Sequence, residues 1–273
     1  MPPDSEFENP ESLQPLTATL ALLAVFVYLT LHSWGAPKAL VLQRAPIALP
    51  AAIAFAVAAR LPRGVTTYGA IVGWAIALLL WLAGGWQMFI ALLSVFVLTF
   101  LATRLGHARK QRLGTAERRG GRRASQVVAN VGMAALLAAV APPYWAVGAI
   151  AVLCEATADT VSSEVGQAFG GTPRLLTTFS TAPVGTDGAI TVMGTLAGSV
   201  GAIVVAAIAH ALHIVLLVPA TIAAAAGIAG MFFDSLLGAT LERRGRMDND
   251  QVNGASTVFA ALITALALWL LRF

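Results

Sequence analysis

The segment CEATADTVSSEVG (154–166) places Glu155, Asp159 and Glu164 at the end of an uninterrupted apolar run, YWAVGAIAVL. On a helix Glu155 and Asp159 are four apart and share a face, which Ser162, Ser163 and Gly166 continue; Glu164 is rotated away by about 140°. The theme returns at Asp234, on a stripe with Gly227, Gly230 and Gly238 and with Ser235 beside it. An ionised carboxylate near the bilayer centre costs roughly 2.5–3.5 kcal/mol on insertion scales, so it is seldom carried without a partner. Two chemistries account for these acids. Asp159 and Asp234 can be interfacial and pair with arginines of a nearby basic loop. Alternatively the carboxylates and arginines enclose a polyanion with Mg2+ between them, because Mg2+ takes one or two carboxylates and completes its shell with phosphate oxygens. In that reading Asp159 and Asp234 are the foremost metal ligands, with Glu155 and Glu164 as second candidates.

Parts suited to phosphate lie close by in sequence. In TAPVGTDG (181–188), Gly185 and Gly188 permit backbone geometries in which successive N–H groups point at an anion. The apolar helix that follows adds its N-terminal dipole. Gly185, Thr186, Asp187 and Gly188 thus form a candidate phosphate cradle, although Asp187 can equally serve as a helix cap. There is no G-x-x-x-x-G-K-[ST], which excludes a Walker loop. The segment RLGHARKQRLGTAERRGGRR (104–123) holds eight Arg or Lys. It is a topology determinant able to meet anionic lipid. Its last two residues, Arg122 and Arg123, adjoin a helix start and are best placed to reach a site in the membrane plane. Asn130, two turns into that helix, serves either the site or an interhelical hydrogen bond. Arg174, in GGTPR, is a third candidate cation for phosphate.

The elements that must position these residues follow from composition. The chain has 273 residues, 58% hydrophobic and 11% charged, with mean hydropathy +0.79. Soluble domains carry about 25% charged residues. An all-α, polytopic transmembrane bundle is expected, and a soluble enzyme with a single anchor is excluded. About nine spanning helices are readable, near 16–34, 45–60, 68–84, 87–103, 125–141, 144–168, 189–211, 216–241 and 254–271. The acidic stretch 1–15 is expected to be a cytoplasmic tail, unlike the basic start of a signal peptide. Residues 16–273 then form one domain with a basic loop at 104–124 and a site loop at 170–188. The one cysteine, Cys154, excludes an internal disulfide and a Cys-based zinc cluster, and no nucleic-acid partner is expected.

Basic residues cluster at 60–64, 104–123, 170–174 and 242–250, all on one face for nine helices. The positive-inside rule makes that face cytoplasmic. The connections GGWQ, PPY and HALHI on the other face carry no Lys or Arg; Lys38 and Arg44 are the exception. Asp159, Glu164 and Asp234 then lie toward cytoplasmic helix ends, so the site is expected to open to the cytoplasm from the cell inner membrane. Gly194, Gly198 and Gly201 form a small-residue stripe for helix packing.

GAIVGWAIALLLWLAGGW, GRRASQVVANVG, EATADTVSSEVG, PRLLTTFSTAPVGTDGAITVMGTLAGSVG and DSLLGATLE occur in this order across roughly 64–260. Together they resemble an integral-membrane family that contains the plant phytyl-phosphate kinases and the animal transmembrane protein 19. The family's loop reads P-x-G-T-[ND]-G-G; here it is PVGTDGA, with Ala189 in place of the last glycine. The resemblance implies phosphoryl transfer from a nucleoside triphosphate, CTP by preference, to an isoprenoid monophosphate such as phytyl phosphate. Under that reading Asp159 and Asp234 hold Mg2+, Arg122, Arg123 and Arg174 neutralise phosphates, and the prenyl tail lies between helices or in membrane lipid. A CTP-dependent lipid cytidylyltransferase and an ion-coupled carrier of an anion are the alternatives. A carrier is disfavoured because no second half echoes the first and the acids are biased to one side.

Overall fold

The computed structural model describes residues 38–116, 120–140 and 145–273; the expected tail at 1–15 and helix at 16–34 lie outside them. Eight α-helices follow in order: α1 (Lys38–Arg60), α2 (Thr67–Arg104), α3 (His107–Leu113), α4 (Ala124–Val140), α5 (Trp145–Phe169), α6 (Val192–Ala211), α7 (Leu217–Thr240) and α8 (Asn249–Leu270). Between α5 and α6 a small antiparallel ribbon pairs β1 (Arg174–Leu175) with β2 (Ala189–Ile190). A 3-10 turn, Glu242–Arg244, joins α7 to α8. The all-α polytopic bundle expected from composition is present.

Among the described residues six helices are long and apolar enough to cross a membrane: α1, α2, α5, α6, α7 and α8. That is fewer than the nine spans expected, and α2 explains part of the difference. Its 38 residues would run about 57 Å if straight, nearly twice a hydrocarbon core of about 30 Å. It breaks at Gly85, where φ is 77° and ψ −176°, a conformation open essentially to glycine alone. The rings of Trp81 and Phe89 lie 4.8 Å apart, whereas eight residues of straight helix would separate them by about 12 Å. So α2 is a hairpin, and its two arms are the expected spans 68–84 and 87–103. α4 has only 17 residues, the lower limit for a span.

Two corrections concern α1. It begins at Lys38 rather than near 45 and continues through Pro46 and Pro50, which a membrane helix tolerates where local adjustments satisfy the freed carbonyls. Arg44 also has a structural reason to break the charge rule. Its Nη1 donates to Leu82 O at 2.8 Å and Ala83 O at 2.9 Å. It thereby caps the carbonyls that the break at Gly85 leaves open, where a helix C-terminus favours a cation.

The centre of the bundle is α5. Every residue from Val147 to Ala158 is buried, and α5 packs on α2, α4, α6, α7 and α8. A helix apolar all round requires such surroundings. Small residues permit the close approach of α6 and α7 to it. A Cβ on Gly198 would run into Ala158 O and Ser162 Cβ, and one on Gly230 would meet Glu155 Cγ. The glycine stripes of α6 and α7 are therefore packing surfaces, as their spacing implied.

Candidate functional site

The four basic connections meet at one end of the bundle. Val65 and Arg122 form a parallel bridge, with Thr66 N donating to Arg122 O and Arg122 N to Gly64 O. Arg104 Nη2 reaches Pro62 O. Lys110 Nζ, fully buried, pairs with Glu164 and also donates to Thr103 O at 2.7 Å. The loop before β2 packs on the end of α7, because a Cβ on Gly188 would collide with Ala239 N and Ser235 O. Arg44 and the Gly85 turn mark the opposite end.

At the basic end, α5, α7, α8 and the 173–191 loop enclose a polar pocket of about 130 Å³. Asp159 and Asp234 both line it, with Ser162, Ser235, Asn249 and Asn253. Asp159 and Glu155 lie within Coulombic reach of Asp234, and Arg122 within reach of Asp159. Ser256 sits beside Asp234: its one hydroxyl proton is shared between Asp234 Oδ2 at 3.3 Å and Asn253 O at 2.9 Å. Glu155 is 1% exposed, and its Oε1 has no hydrogen-bond partner among the described residues. A buried acceptor left unpaired is costly, and it points into the same acidic cluster. Glu242, in the turn after α7, lies within Coulombic reach of Asp159, Asp187 and Asp248 but is not among the residues lining the pocket.

The phosphate-loop expectation has a defined geometry. Gly185 and Gly188 have φ of 85° and 69°. The loop is tied by Thr186 Oγ1 to Pro183 O at 2.8 Å and by Ala189 N to Thr186 O at 3.1 Å. The N–H groups of Gly185, Asp187 and Gly188 make no backbone hydrogen bond among the described residues. Gly188 lines the carboxylate pocket. Asp187 is exposed, and it does not cap the following helix: Thr191 does, its Oγ1 accepting from Gly194 N at 3.0 Å. That helix starts at Val192 rather than at 189.

The profile of the family described as integral membrane protein DUF92 matches residues 50–261. The chain belongs to this family. It is 39% identical over 188 residues to an uncharacterized membrane protein of Methanocaldococcus jannaschii, covering 67% of this chain and 76% of the relative. It is 32% identical over 207 residues to an uncharacterized membrane protein of Synechocystis sp., covering 72% and 80%. Protein VTE6, chloroplastic, of Arabidopsis thaliana is 29% identical over 216 residues, covering 74% of this chain and 65% of that protein. No solved structure gives a significant match. The resemblance read from the motif segments is thus borne out, and the family match spans both carboxylate-bearing helices.

Within this DUF92 chain other expected site residues stand elsewhere. Glu164 is committed to Lys110 and does not line the carboxylate pocket. Arg123 is 59% exposed and faces Asp250 at 3.8 Å. Arg174 is exposed and donates to Phe179 O at 2.8 Å. Asn130 donates to Gln126 O of its own helix at 2.8 Å and lines a different, apolar cavity. Asn249 and Asn253 were not expected at the site, because α8 was expected to begin at 254, and Ser256 carried no signal of its own in an apolar helix. The capping box of Asp248 with Gln251 was the available signal. It starts the helix a turn earlier and puts Asn249, Asn253 and Ser256 on one face.

No three His, Cys, Asp or Glu side chains among the described residues are close enough to hold a metal by themselves. The donor set, with two pocket carboxylates and an unpaired Glu155 oxygen, suits a hard cation that draws its remaining ligands from a phosphate. It does not suit a resident transition metal.

Proposed function

We propose that this DUF92 protein is a membrane phosphotransferase that moves the terminal phosphoryl group of a nucleoside triphosphate, with CTP as first candidate, onto an isoprenoid monophosphate. The observation that carries the reading is the convergence of Asp159 and Asp234 on one pocket, with Arg122 near and Gly188, the last residue of the Gly185–Gly188 loop, at its wall. Phosphoryl transfer asks little of a protein beyond positioning and charge neutralisation, and these are the groups that do both. The motif segments shared with the phytyl-phosphate kinases support the choice of substrates.

In this reading Asp159 and Asp234 hold Mg2+, which when bound neutralises triphosphate charge. Glu155 backs them from inside, and Ser256 fixes the carboxylate of Asp234 by donating to it. The N–H groups of the Gly185–Gly188 loop cradle a triphosphate oxygen. Arg122 holds the acceptor phosphate against the repulsion of the donor. An acceptor oxygen bonds to the γ-phosphorus as the bond to the β–γ bridging oxygen breaks, and the nucleoside diphosphate leaves with that electron pair. The acceptor is already an oxyanion, so no general base is required.

The test is a product assay on purified protein in lipid nanodiscs, given CTP, Mg2+ and phytyl or geranylgeranyl monophosphate. CDP and the prenyl diphosphate in equal amounts are expected. Inorganic diphosphate with a cytidylylated lipid would replace the kinase by a cytidylyltransferase, and absence of nucleotide turnover would overturn the enzyme reading.

A further inference from the structure

A second cavity, of about 490 Å³, opens at the same end of the bundle between α1, the two arms of α2 and the start of α4. Its body is apolar, walled by residues such as Phe55, Ile76, Leu92, Val95, Phe96 and Val131. Arg63, Arg104, His107 and Arg122 line its basic end, and no Asp or Glu is among its lining residues within the described part of the chain. A volume in the range of about 300–1,000 Å³, apolar walls and a few convergent polar groups are the marks of a small-ligand site.

We propose that this cavity is the acceptor chamber, holding the apolar tail of a single-chain lipid phosphate with its phosphate at the arginine mouth. That the lipid is an isoprenoid acceptor rests on the phosphotransferase reading. Charge complementarity selects an anionic head. The apolar depth selects a hydrocarbon body. The position of Arg122 selects a phosphate to be delivered, because Arg122 is among the residues lining this cavity and its charge also acts on Asp159 in the polar pocket. Its backbone is locked from both sides by Gly64 O and Thr66 N. Gly121, at φ 78°, makes the turn that carries it there. Arg104 lies over the Phe100 ring at 4.8 Å, so one cation of the mouth is seated where the apolar wall ends. Arg122 thus stands between the chambers, where the acceptor phosphate must be.

Gly73 gives the test. It lines the cavity, and a Cβ built on it meets nothing within 4 Å, so the side chain of Gly73→Phe starts in open space at the chamber wall. The first readout needs no nucleotide. Wild-type protein in nanodiscs is photolabelled with a diazirine-bearing geranylgeranyl monophosphate and the label is mapped. Label on the cavity walls of α1, α2 and α4, reduced about tenfold or more in Gly73→Phe but not in the lipid-facing Leu262→Phe, is the expected result. In turnover the same variant raises the KM for the lipid about tenfold and leaves the KM for CTP unchanged.

Label elsewhere, or label displaced equally by two-chain phosphatidic acid, would overturn the proposal. So would a disulfide between Leu22→Cys and Val95→Cys that blocks labelling, since the chain's own residues 16–34 would then be the occupant. Labelled cavity walls without any turnover would support the chamber and count against the phosphotransferase reading alone.

Discussion

Glu155 and Asp159 share a face by their spacing, but helix packing turns Asp159 into part of a site, because it brings Asp234, held by Ser256 on a third helix, to the same pocket. Arg122 acts on Asp159, and it also lines the apolar cavity. Asp159→Asn keeps the size of the side chain and removes its charge. It is expected to leave expression and thermal stability in detergent intact and to lower kcat by about 100-fold or more, the loss typical of one removed electrostatic contact in a transition state. Normal turnover by that variant with excess Mg2+ and CTP would remove Asp159 from the mechanism. Glu164 belongs to a different kind of chemistry. Its partner Lys110 is 0% exposed and Glu164 only 12%. Lys110→Met leaves a buried carboxylate without its cation and should cost roughly 3–5 kcal/mol. Adding Glu164→Gln should recover part of that loss in detergent unfolding. No recovery would mean that the pair is not what Lys110 stabilises.

At the scale of elements, the site depends on how closely α7 and α8 approach α5. Gly230 is one contact that permits this approach, beside Gly227 against Cys154: a Cβ on Gly230 would lie 2.5 Å from Glu155 Cγ and 3.3 Å from Ser256 O. Gly230→Leu is expected to destabilise by about 1–3 kcal/mol, as overpacking does. Because it separates the acids, it should lower transfer more than the stability loss explains. A Gly230→Leu enzyme with wild-type kcat at a temperature where it stays folded would show that the spacing is not needed. The hairpin in α2 has a comparable role for the second chamber. Gly85 lets the chain reverse at φ 77°, Arg44 closes the exposed carbonyls, and the two arms form opposite walls of the apolar cavity.

For the whole molecule, the arrangement makes a directional claim. Both chambers, the loop 181–188 and all four basic connections lie at one end, and the turn at Gly85 with its Arg44 cap lies at the other. In intact cells Gly114→Cys and Arg246→Cys should share one labelling pattern with a membrane-impermeant maleimide, and His213→Cys the opposite one. The native Cys154 is buried and gives no background. If the positive-inside rule holds, the first two are protected and His213→Cys is labelled. Labelling of Gly114→Cys from outside would put the pocket on the wrong side for cytoplasmic nucleotide.

What the sequence determined by itself is local or additive. Apolar windows specify membrane helices because the bilayer accepts little else. Intramembrane acids specify a functional site because they are expensive. Glycine stripes specify close helix faces because nothing else is small enough. The expectations for Asp159, Asp234 and the 185–188 loop rested on these; Asp159, Asp234 and Gly188 line one pocket, whereas Gly185, Thr186 and Asp187 are not among its lining residues. Tertiary structure alone decided which side chains come together across helices. It sent Glu164 to Lys110 and Arg123 to the surface, and it brought Ser256, Asn249 and Asn253 to the acids. It also left an apolar cavity between α1, α2 and α4. Each depends on rotations and distances between elements, set by packing among residues far apart in the chain, and no single stretch of sequence encodes them.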